Sequence, residues 1–566
     1  MKILLTHCDY IEYEKKKKAI ESAEQTDTDK EHVEECLVAF CSSEAGDDDS
    51  VAEKTADEIK KVAEQVHTKT IVVYPFVHLS STPAKPAIAL SMVIKIAELL
   101  KKDYEVHRSP FGWYKSFELK CKGHPLSELS REIRSSSNQS KPQTTEESYD
   151  PKQLLHQISK MKLDRESLKD NDHRILGQKL DLFSFNEVAP GMVFWHNNGL
   201  IIYNELINFW REEHMKEGYG EIKTPQVMDS KLWKVSGHWE KYKENNFITN
   251  YEGRPFIVKP MNCPGGMMVF KDGTKSYKDL PLRVGEMGIV HRTELSGVLA
   301  GLFRVIQFTQ DDAHIFCADE KQAEDEIMGV ANLIQRFYKK FGLEFDHVEL
   351  STRPEKRIGS DELWETAEKL LEEALKKLNI TYKINPGDGA FYGPKIDFHV
   401  KDSLGRTWQL STIQLDFAMP ERFELEYIGA DGQAHRPIML HRVIYGSLER
   451  FIGILIEHTN GAFPLWLAPV QVKIVSLTDR NSDAASRFCK LFVEKGIRAE
   501  ADLRQNTMDY KIREAEMQKV PYILVIGDKE EASGTLAVRK RGEKPRFGVS
   551  TEEFLAHITK EIANRI

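Results

Sequence analysis

The sequence predicts a multidomain protein of α/β and α+β architecture. Three observations lead to this fold class. The 566 residues are too many for a single hydrophobic core. Strand-like and helix-like segments alternate at both ends of the chain, and the middle contains many short segments of alternating hydrophobicity between Gly and Pro turns. With 41% hydrophobic and 30% charged residues, the chain has the composition of a folded globular protein.

Residues 1–135 predict a small α/β domain. The strand-like segment KILLTHCDYIEYE precedes a stripe of apolar residues at helical spacing within residues 59–66. The strand-like TIVVYPFVHL follows, and a second helical stripe lies within residues 93–100. The next segment is polar, rich in Ser and Thr and bounded by Pro, so we assign residues 136–171 to a linker and connecting segment.

Residues 172–468 combine an amphipathic helix, marked by Ile202, Leu206 and Phe209, with many short strands such as PFIVKP and WQLSTIQLDF. This pattern predicts an antiparallel sheet with helices on one face. After WLAPV a regular alternation of strands and helices returns, so residues 469–566 are predicted to form a separate α/β domain.

Composition limits the classes of function. The seven cysteines are an odd number scattered over a long chain, which does not indicate a disulfide framework. No apolar run approaches the ~20 residues that span a bilayer, and the first residues lack the apolar core of a signal peptide, so we expect a cytoplasmic protein without membrane contact. The net charge of −9 gives no general sign of nucleic-acid binding. From Pro469 onward, 18 Lys and Arg against 15 Asp and Glu allow a polyanionic partner without requiring one.

Arginines inside apolar segments are the first chemical signal. Arg292, Arg304 and Arg450 lie in IVHRTELSGVLAGLFRVIQF and GSLERFIGIL. A buried guanidinium is costly without an anionic partner, and its planar fork suits phosphate or carboxylate. One such arginine is readily explained by a structural ion pair, whereas three in such segments favour a phosphate-rich ligand. No P-loop, G-x-G-x-x-G, H-E-x-x-H or paired C-x-x-C motif is present.

The stretches YGEIKTPQVM, HRTE with the strand after it, and GSLERF resemble the three motifs of class II aminoacyl-tRNA synthetases, and most closely those of threonyl-tRNA synthetases. The resemblance extends from about Asp172 to the C-terminus. It implies a class II antiparallel core with ATP, threonine and tRNA(Thr) as ligands, Mg²⁺ bridging the ATP phosphates, and a homodimer whose interface includes Pro225.

The same resemblance implies roles for individual residues. Arg292 would hold the ATP α-phosphate, Glu294 would contact adenine, Arg304 would face the phosphates, and Arg450 would hold the γ-phosphate. These roles suit the attack of the threonine carboxylate on the α-phosphorus, which needs alignment and charge neutralisation. The residues implied to line the rest of the substrate and ATP pocket are Gln310, Asp312, Tyr392, Lys395, Gln409, Thr412 and Gln414.

A zinc ion is implied as well, with Cys263, His314 and His441 as its ligands. Spacing alone does not show this site, because a lone Cys or His is usually part of a core. Three protein ligands leave positions at which the amino and hydroxyl groups of threonine can bind, whereas valine lacks the hydroxyl. Gly266 departs from the family pattern, in which histidine often follows Cys-Pro-Gly.

The two ends of the chain resemble the accessory domains of this family. The C-terminal domain resembles its anticodon-binding domain, in which side chains discriminate splayed bases. The N-terminal domain, through HCDYIEYE, YPFVHLSS and FGWYKSFELKCKGHPLSELSR, resembles the archaeal editing domain, related in fold to D-aminoacyl-tRNA deacylases. The positions that match anticodon contacts are Gln505 or Asn506, Glu530 and Arg539. The positions that match the editing site are His78, Tyr114, Lys115 and Glu128.

An editing domain is expected on physical grounds, because serine also has the amino and hydroxyl groups that zinc would bind. One missing methyl group is worth only ~1–3 kcal/mol, short of the ~10⁴-fold discrimination that translation needs. Two other hypotheses are a non-catalytic synthetase paralogue that binds RNA and a deacylase with a vestigial synthetase core. The presence of Arg292, Arg450 and all three zinc ligands argues against both.

Overall fold

The computed structural model describes residues 1–26, 29–80, 82–124, 126–134, 168–239, 246–402 and 405–566. Backbone contacts divide the chain into two units, Met1–Asp150 and Pro151–Ile566. Most of the predicted linker, 136–167, lies outside the described residues. Among the described residues, none of the helices combines the length and the apolar character needed to cross a lipid bilayer.

The N-terminal unit contains a six-stranded mixed sheet in the order β4–β3–β2–β1–β5, with β6 also paired to β1. The strands are β1 Lys2–Lys18, β2 Lys30–Ser42, β3 Thr70–Pro75, β4 Glu105–Arg108, β5 Trp113–Cys121 and β6 Glu128–Glu132, and the helices are α1 Asp49–Gln65 and α2 Pro86–Leu100. Strand β1 is antiparallel to β2, β5 and β6, whereas β2, β3 and β4 are parallel. Asp48 caps the start of helix α1, because its carboxylate accepts hydrogen bonds from two amides of the first turn.

The two faces of this sheet have different coverings. Both helices pack on one face, where Ile59 and Ile96 are fully buried against strand residues such as Leu37. The other face has its own apolar cluster, which includes Tyr13 and Tyr74. This second face supplies aromatic side chains to a cavity described below.

The second unit is built on an eight-stranded sheet in the order β16–β15–β17–β18–β21–β14–β13–β9. The strands of this part are β7 Phe183–Ser184, β8 Phe194–Trp195, β9 Gly220–Glu221, β10 Val227–Asp229, β11 Ile248–Tyr251, β12 Arg254–Val258, β13 Leu282–His291, β14 Gln307–Cys317, β15 Phe345–Ser351, β16 Lys383–Asn385, β17 Lys395–Lys401, β18 Thr407–Asp416, β19 Tyr427–Ile428, β20 Ala434–His435 and β21 Ile438–Val443. The helices are α3 His173–Lys179, α4 Asn197–Lys216, α5 Ser230–Val235, α6 Cys263–Lys271, α7 Glu320–Lys340, α8 Asp361–Lys377, α9 Ala418–Arg422 and α10 Leu448–His458. The strands from β15 to β13 are antiparallel to their neighbours, and only β16 and β9 at the edges pair in parallel.

Side-chain alternation divides this sheet into a core face and a polar face. On β17, Ile396, Phe398 and Val400 are buried in the main hydrophobic core together with residues of α4, α7, α8 and α10. Because successive strand residues point to opposite faces, Lys395 and Asp397 lie on the polar face. The same alternation on β14 and β21 places polar side chains along the open side of the sheet. On β18 a bulge between Gln409 and Ser411 interrupts it, and Gln409 and Thr412 both reach Asp397 on that side. The predicted antiparallel sheet with helices on one face is confirmed.

The C-terminal part is an α/β fold with a five-stranded sheet in the order β23–β22–β24–β25–β26. Its strands are β22 Val472–Ser476, β23 Ala499–Asp502, β24 Tyr522–Ile526, β25 Thr535–Lys540 and β26 Arg546–Ser550, and its helices are α11 Ser482–Glu494, α12 Met508–Met517, α13 Asp528–Ser533 and α14 Thr551–Ala563. The core on one face includes Phe492 and Phe554, and α12 packs on the other through Ile512. The predicted fold class, a multidomain combination of α/β and α+β folds, is therefore confirmed.

Candidate functional site

A cavity of about 590 Å³ opens on the polar face of the eight-stranded sheet. Most of the residues predicted for the substrate and ATP pocket line it. These are Cys263, Arg292, Glu294, Gln310, Asp312, Tyr392, Lys395, Gln409, Thr412, Gln414 and His441. Three further predicted residues, Arg304, His314 and Arg450, contact or adjoin residues of its wall.

One end of the cavity holds a thiol and two imidazoles. Cys263 is the first residue of α6, and His314 and His441 are directly opposite each other on β14 and β21. All three are buried, and one donor atom from each lies within 4.8 Å of the others. The fold thus brings together three residues that are far apart in the sequence.

These donors fit a zinc ion. The Nε2 atom of His441 is 2.8 Å from Asp416 Oδ2, which leaves Nδ1 for a metal; such a carboxylate contact is typical of histidines that bind metals. The Nε2 atom of His314 is buried without a hydrogen-bond partner among the described residues, which is costly unless a ligand satisfies it. A thiolate and two imidazoles are a common zinc donor set.

Acidic groups surround this end of the cavity. Burial, together with Asp312 and Asp416, raises the pKa of the Cys263 thiol well above its ordinary value. Burial also raises the pKa of Asp312 to about 6, although His441 opposes the shift. A divalent cation would reverse these tendencies, because its charge favours the thiolate and the carboxylate.

Positive charge is concentrated in and beside the wall of the same cavity. Arg450 is held by two carbonyl oxygens, those of Phe303 and Gln409, at 3.0 Å each. Burial, and then the nearby Arg304 and Arg292, lower the pKa of Arg450. Three guanidinium groups this close repel one another, so the arrangement suits a bound polyanion.

The other two arginines are oriented by their neighbours. Arg304 contacts the carboxylate of Glu294 at 3.0 Å. The Nε–H of Arg292 donates to the carbonyl of Pro260 at 3.0 Å, and its guanidinium lies 5.2 Å from the centre of the Phe308 ring. These contacts hold Arg292 in the cavity wall and Arg304 against Glu294, another residue of that wall.

A second cavity, of about 480 Å³, lies in the N-terminal unit and is mainly apolar. Three of the four predicted editing residues, His78, Tyr114 and Lys115, line it. The structure does not place Glu128 there, because this residue is exposed on β6 and pairs with Thr6 of β1.

Lys115 is the most perturbed group of this cavity. Its Nζ donates to Ser109 Oγ at 3.0 Å and to the Pro110 carbonyl at 2.7 Å, and it lies 4.3 Å from the centre of the Tyr74 ring. Burial, and then Arg108, lower the pKa of Lys115 to about 7. Perturbed pKa values of this kind are common among acid–base groups of active sites.

The predicted anticodon residues are distributed over the C-terminal domain. Gln505 and Asn506 are exposed in the loop between β23 and α12, and Arg539 lies on β25. The carboxylate of Glu530 accepts a hydrogen bond from the Gly527 amide at 3.0 Å and thereby caps α13. Within the described residues, no hydrogen bond joins these four side chains.

Family models match three successive parts of the chain. The archaea-specific editing domain of threonyl-tRNA synthetase matches residues 1–133. The class II core domain of the G, H, P, S and T tRNA synthetases matches residues 245–459, and an anticodon-binding domain matches residues 471–561.

Solved structures and curated proteins agree. The crystal structure of the RNA-binding domain of threonyl-tRNA synthetase from Cryptosporidium parvum Iowa II is 39% identical, with a TM-score of 0.67, and the match covers 69% of this chain and 98% of that chain. The chain belongs to the threonyl-tRNA synthetase family. A threonine–tRNA ligase of Caldanaerobacter subterraneus subsp. tengcongensis is 56% identical over 418 residues, which are 74% of this chain and 64% of the relative. A second, from Carboxydothermus hydrogenoformans, is 57% identical over 401 residues, or 70% and 63% of the two chains. The match therefore spans slightly less than two thirds of the length of these curated relatives.

This member of the threonyl-tRNA synthetase family has glycine at position 266, in the first turn of α6. A Cβ atom there would lie 3.1 Å from His314 Nδ1, so any side chain would require a small shift of that ring. Gly266 therefore leaves His314 its space beside Cys263.

Asp397 is a functional candidate that the sequence did not reveal. This buried carboxylate accepts hydrogen bonds from four side chains, of which three were predicted for the pocket. The four donors are Ser351, Lys395, Gln409 and Thr412. Burial lowers the pKa of Lys395, but the carboxylates of Asp397 and Asp388 outweigh this effect, so the pKa lies above its ordinary value. The one sequence signal for Asp397 was its place as a polar residue between two core residues of β17.

Proposed function

We propose that the chain is a threonine–tRNA ligase with an editing activity. The observation that supports this most strongly is one cavity that is lined by Cys263, His441 and Arg292 and has His314, Arg304 and Arg450 beside its wall. In the proposed first step, a carboxylate oxygen of threonine attacks the α-phosphorus of ATP, and pyrophosphate leaves with the electrons of the broken P–O bond. In the second, a hydroxyl of the tRNA 3′-terminal ribose attacks the carbonyl carbon of the adenylate, and AMP leaves.

The chain's own residues would position both reactants. Asp312 lies beside the three donors and would accept a hydrogen bond from the amino group or hydroxyl of threonine. Zinc bound by Cys263, His314 and His441 would supply open coordination positions that distinguish threonine from valine. Gln310, Tyr392 and Gln414 would line the amino-acid side of the pocket.

The role proposed for Arg292, Arg304 and Arg450 is to neutralise the charge of the ATP phosphates. Arg292 would hold the α-phosphate where charge develops, while Arg304 and Arg450 would face the β- and γ-phosphates. Mg²⁺ bound with the ATP would supply further positive charge. Glu294, Gln409 and Thr412 would contact the nucleotide. Because Arg450 is already fixed by two carbonyl groups, it would need little reorganisation during the reaction.

The N-terminal cavity is proposed to hydrolyse seryl-tRNA(Thr). Water would attack the ester carbonyl, the ribose oxygen would leave, and serine and free tRNA would be released. Lys115 and His78 would orient the ester and the water, with Tyr114 beside them. Glu128 is not part of this proposal, because it does not line the cavity.

Further parts of the proposal concern assembly and organisation. We propose a cytoplasmic homodimer, and exposed apolar residues near Pro225, such as Val227 and Ile248, each 45% exposed, are consistent with an interface there. The proposed domains are residues 1–135, 172–468 and 469–566. Gln505, Asn506, Glu530 and Arg539 remain proposed anticodon contacts.

ATP–pyrophosphate exchange with threonine, serine and valine tests the central proposal. We expect exchange with threonine and, at higher concentration, with serine, but not with valine. The Cys263→Ala variant should lose one bound zinc and threonine-dependent exchange together. Equal exchange with valine, or full activity of a verified zinc-free preparation, would contradict the proposal.

A further inference from the structure

A second group of metal-binding side chains lies outside the cavity, on strands β15 and β17. His347 and His399 are directly opposite each other in the antiparallel pair. Glu349 is two residues after His347 on β15, so its side chain projects from the same face. The three donor atoms lie within 4.8 Å of one another.

The geometry of this cluster is that of a small cation site. The Nε2 atom of His347 is 3.1 Å from one carboxylate oxygen of Glu349, and the Nε2 atom of His399 is 3.5 Å from the other. The two rings stack, with 8° between their planes and 4.3 Å between their centres, so one ring would have to turn about its Cβ–Cγ bond for both in-plane lone pairs to meet at one ion. Donors at about 2.1 Å from a tetrahedral zinc ion are roughly 3.4 Å apart, so the two nitrogen-to-oxygen separations are close to those found around one shared ion.

Residues around the cluster orient the donors toward its centre. Asp346 Oδ2 is 2.7 Å from His347 Nδ1, which places the ring proton on Nδ1 and the Nε2 lone pair toward Glu349. The side-chain amide of Asn385 donates to Glu349 at 3.0 Å. These contacts are of the kind that fix ligand orientation around a metal.

Without a cation, hydrogen-bond acceptors of this cluster face one another with no proton between them. The Nε2 lone pair of His347 would face a carboxylate oxygen, and the Nε2 atom of His399 is buried without a hydrogen-bond partner among the described residues. Two explanations resolve the conflict: a second proton on the imidazole, or a metal ion between the donors. Two imidazoles, one shared carboxylate and an orienting Asp346 together favour the metal.

We propose that His347, Glu349 and His399 bind a second divalent transition-metal ion, for which zinc is the best match to two imidazoles and a carboxylate. The side chains are 21%, 22% and 16% exposed, so an ion can enter from solvent and still be enclosed. The ion would join β15 to β17, the strand that also contains Asp397. Bound metal would stabilise the folded chain, because the unfolded chain has no preformed site.

Metal counting on the full-length chain tests this proposal. The protein is stripped with a chelator, equilibrated with Zn²⁺, desalted and analysed for zinc per chain. We expect two zinc ions in the wild type, and one each in His399→Asn, Glu349→Gln and Cys263→Ser. The matched control His435→Asn, a histidine paired with Asp431 elsewhere in the same unit, should keep two.

Cobalt substitution then assigns the sites. Only the Cys263 site contains a sulfur ligand, so His399→Asn should keep the thiolate-to-cobalt charge-transfer band and lose part of the d–d absorption. One zinc per chain in the wild type, or two in a folded His399→Asn variant, would overturn the proposal. If the His399 and Glu349 variants do not fold, Cys263→Ser decides: one remaining zinc supports the second site, and none overturns it.

Discussion

Asp397 holds several side chains of the cavity wall in position. Its carboxylate is buried and contacts Lys395, Gln409 and Thr412, so a single group sets the rotamers of three side chains. Asparagine has the same size but offers one acceptor oxygen and an NH₂ group in place of two oxygens and a charge.

Asp397→Asn is therefore expected to lower threonine-dependent pyrophosphate exchange by about 10–10²-fold, because a misplacement of 1 Å can cost about 10²-fold. The loss should appear in both kcat and the KM for ATP, with the KM for threonine less affected. The control Asp361→Asn, an exposed carboxylate of α8, should leave exchange unchanged. Wild-type kinetics in Asp397→Asn would exclude this positioning role.

Replacing Arg450 tests whether this arginine acts on the substrate or only supports the fold. The described residues include no carboxylate in ion-pair contact with it, and its neighbours Arg292 and Arg304 repel it. Arg450→Gln should thus reduce pyrophosphate exchange by about 10²–10³-fold, as for removal of a preorganised charged donor. Urea denaturation should show little loss of stability, whereas a variant that fails to fold would favour a structural role. Arg336→Gln, an exposed arginine of α7, is the control.

Lys115 makes the stability of the N-terminal unit depend on pH. Its pKa is about 7 in the folded chain and 10.5 ordinarily, so between these values the unfolded chain binds one proton more. The contribution of Lys115 to the free energy of unfolding should be greatest above pH 10.5. It should decrease as pH falls toward 7, by up to ~1.4 kcal/mol per pH unit. Lys115→Met should lack this dependence.

Hydrogen exchange of β5 amides, compared between wild type and Lys115→Met at matched pH values, measures this effect. The difference in protection between the two proteins should change steadily from pH 7 to pH 9. A constant difference over this range would mean that Lys115 titrates near its ordinary value.

At the scale of elements, the position of Cys263 depends on how closely β13 approaches α6. A Cβ atom on Gly288 of β13 would lie 2.1 Å from the side-chain oxygen of Asn262, the residue before Cys263. The close packing of this strand against the start of α6 thus fixes the position of the thiol.

Gly288→Ala should displace Asn262 and with it the first turn of α6. We expect a loss of roughly 1–3 kcal/mol of stability, the usual cost of overpacking, and weaker zinc binding in competition with a chromogenic chelator. Gly329→Ala is the matched control: nothing lies within 4 Å of a Cβ there, in α7, so it should stabilise the chain by up to about 1 kcal/mol. Unchanged zinc affinity in Gly288→Ala would show that α6 tolerates the shift.

At the scale of the whole molecule, synthesis and editing are proposed to occupy different units. The proposed zinc ligands and the three arginines beside them lie in Pro151–Ile566, and the Lys115 cavity lies in Met1–Asp150. Hydrophobic clusters are likewise separate, so each unit has a core of its own.

Removal of residues 1–134 should leave threonine charging nearly intact while seryl-tRNA(Thr) accumulates, because the proposed zinc site would also accept the amino and hydroxyl groups of serine. Lys115→Met in the full chain should have the same direction of effect without any truncation. Acid-gel or thin-layer analysis of the charged tRNA distinguishes the two products. If neither variant makes more seryl-tRNA(Thr) than the wild type, the N-terminal cavity is not an editing site.

The sequence by itself determined the fold class, the family and the faces of the strands. Alternation in IDFHV places Ile396 and Phe398 toward the core, because side chains alternate along a regular strand. In WQLSTIQLD a bulge at Leu410 interrupts the alternation, so the core residues Leu410 and Ile413 are three positions apart. The synthetase motifs led to the family, and the comparisons confirmed it. These are local properties, and each is contained within a few consecutive residues.

Only the tertiary structure decided which strands are neighbours. His314 and His441 meet because β14 lies beside β21, although a long stretch of chain separates them. The Asp397 network and the His347–Glu349–His399 cluster likewise depend on the order β15–β17–β18. Strand alternation specifies a face but not a partner, because hydrogen bonding between strands is a non-local choice made by packing of the whole sheet.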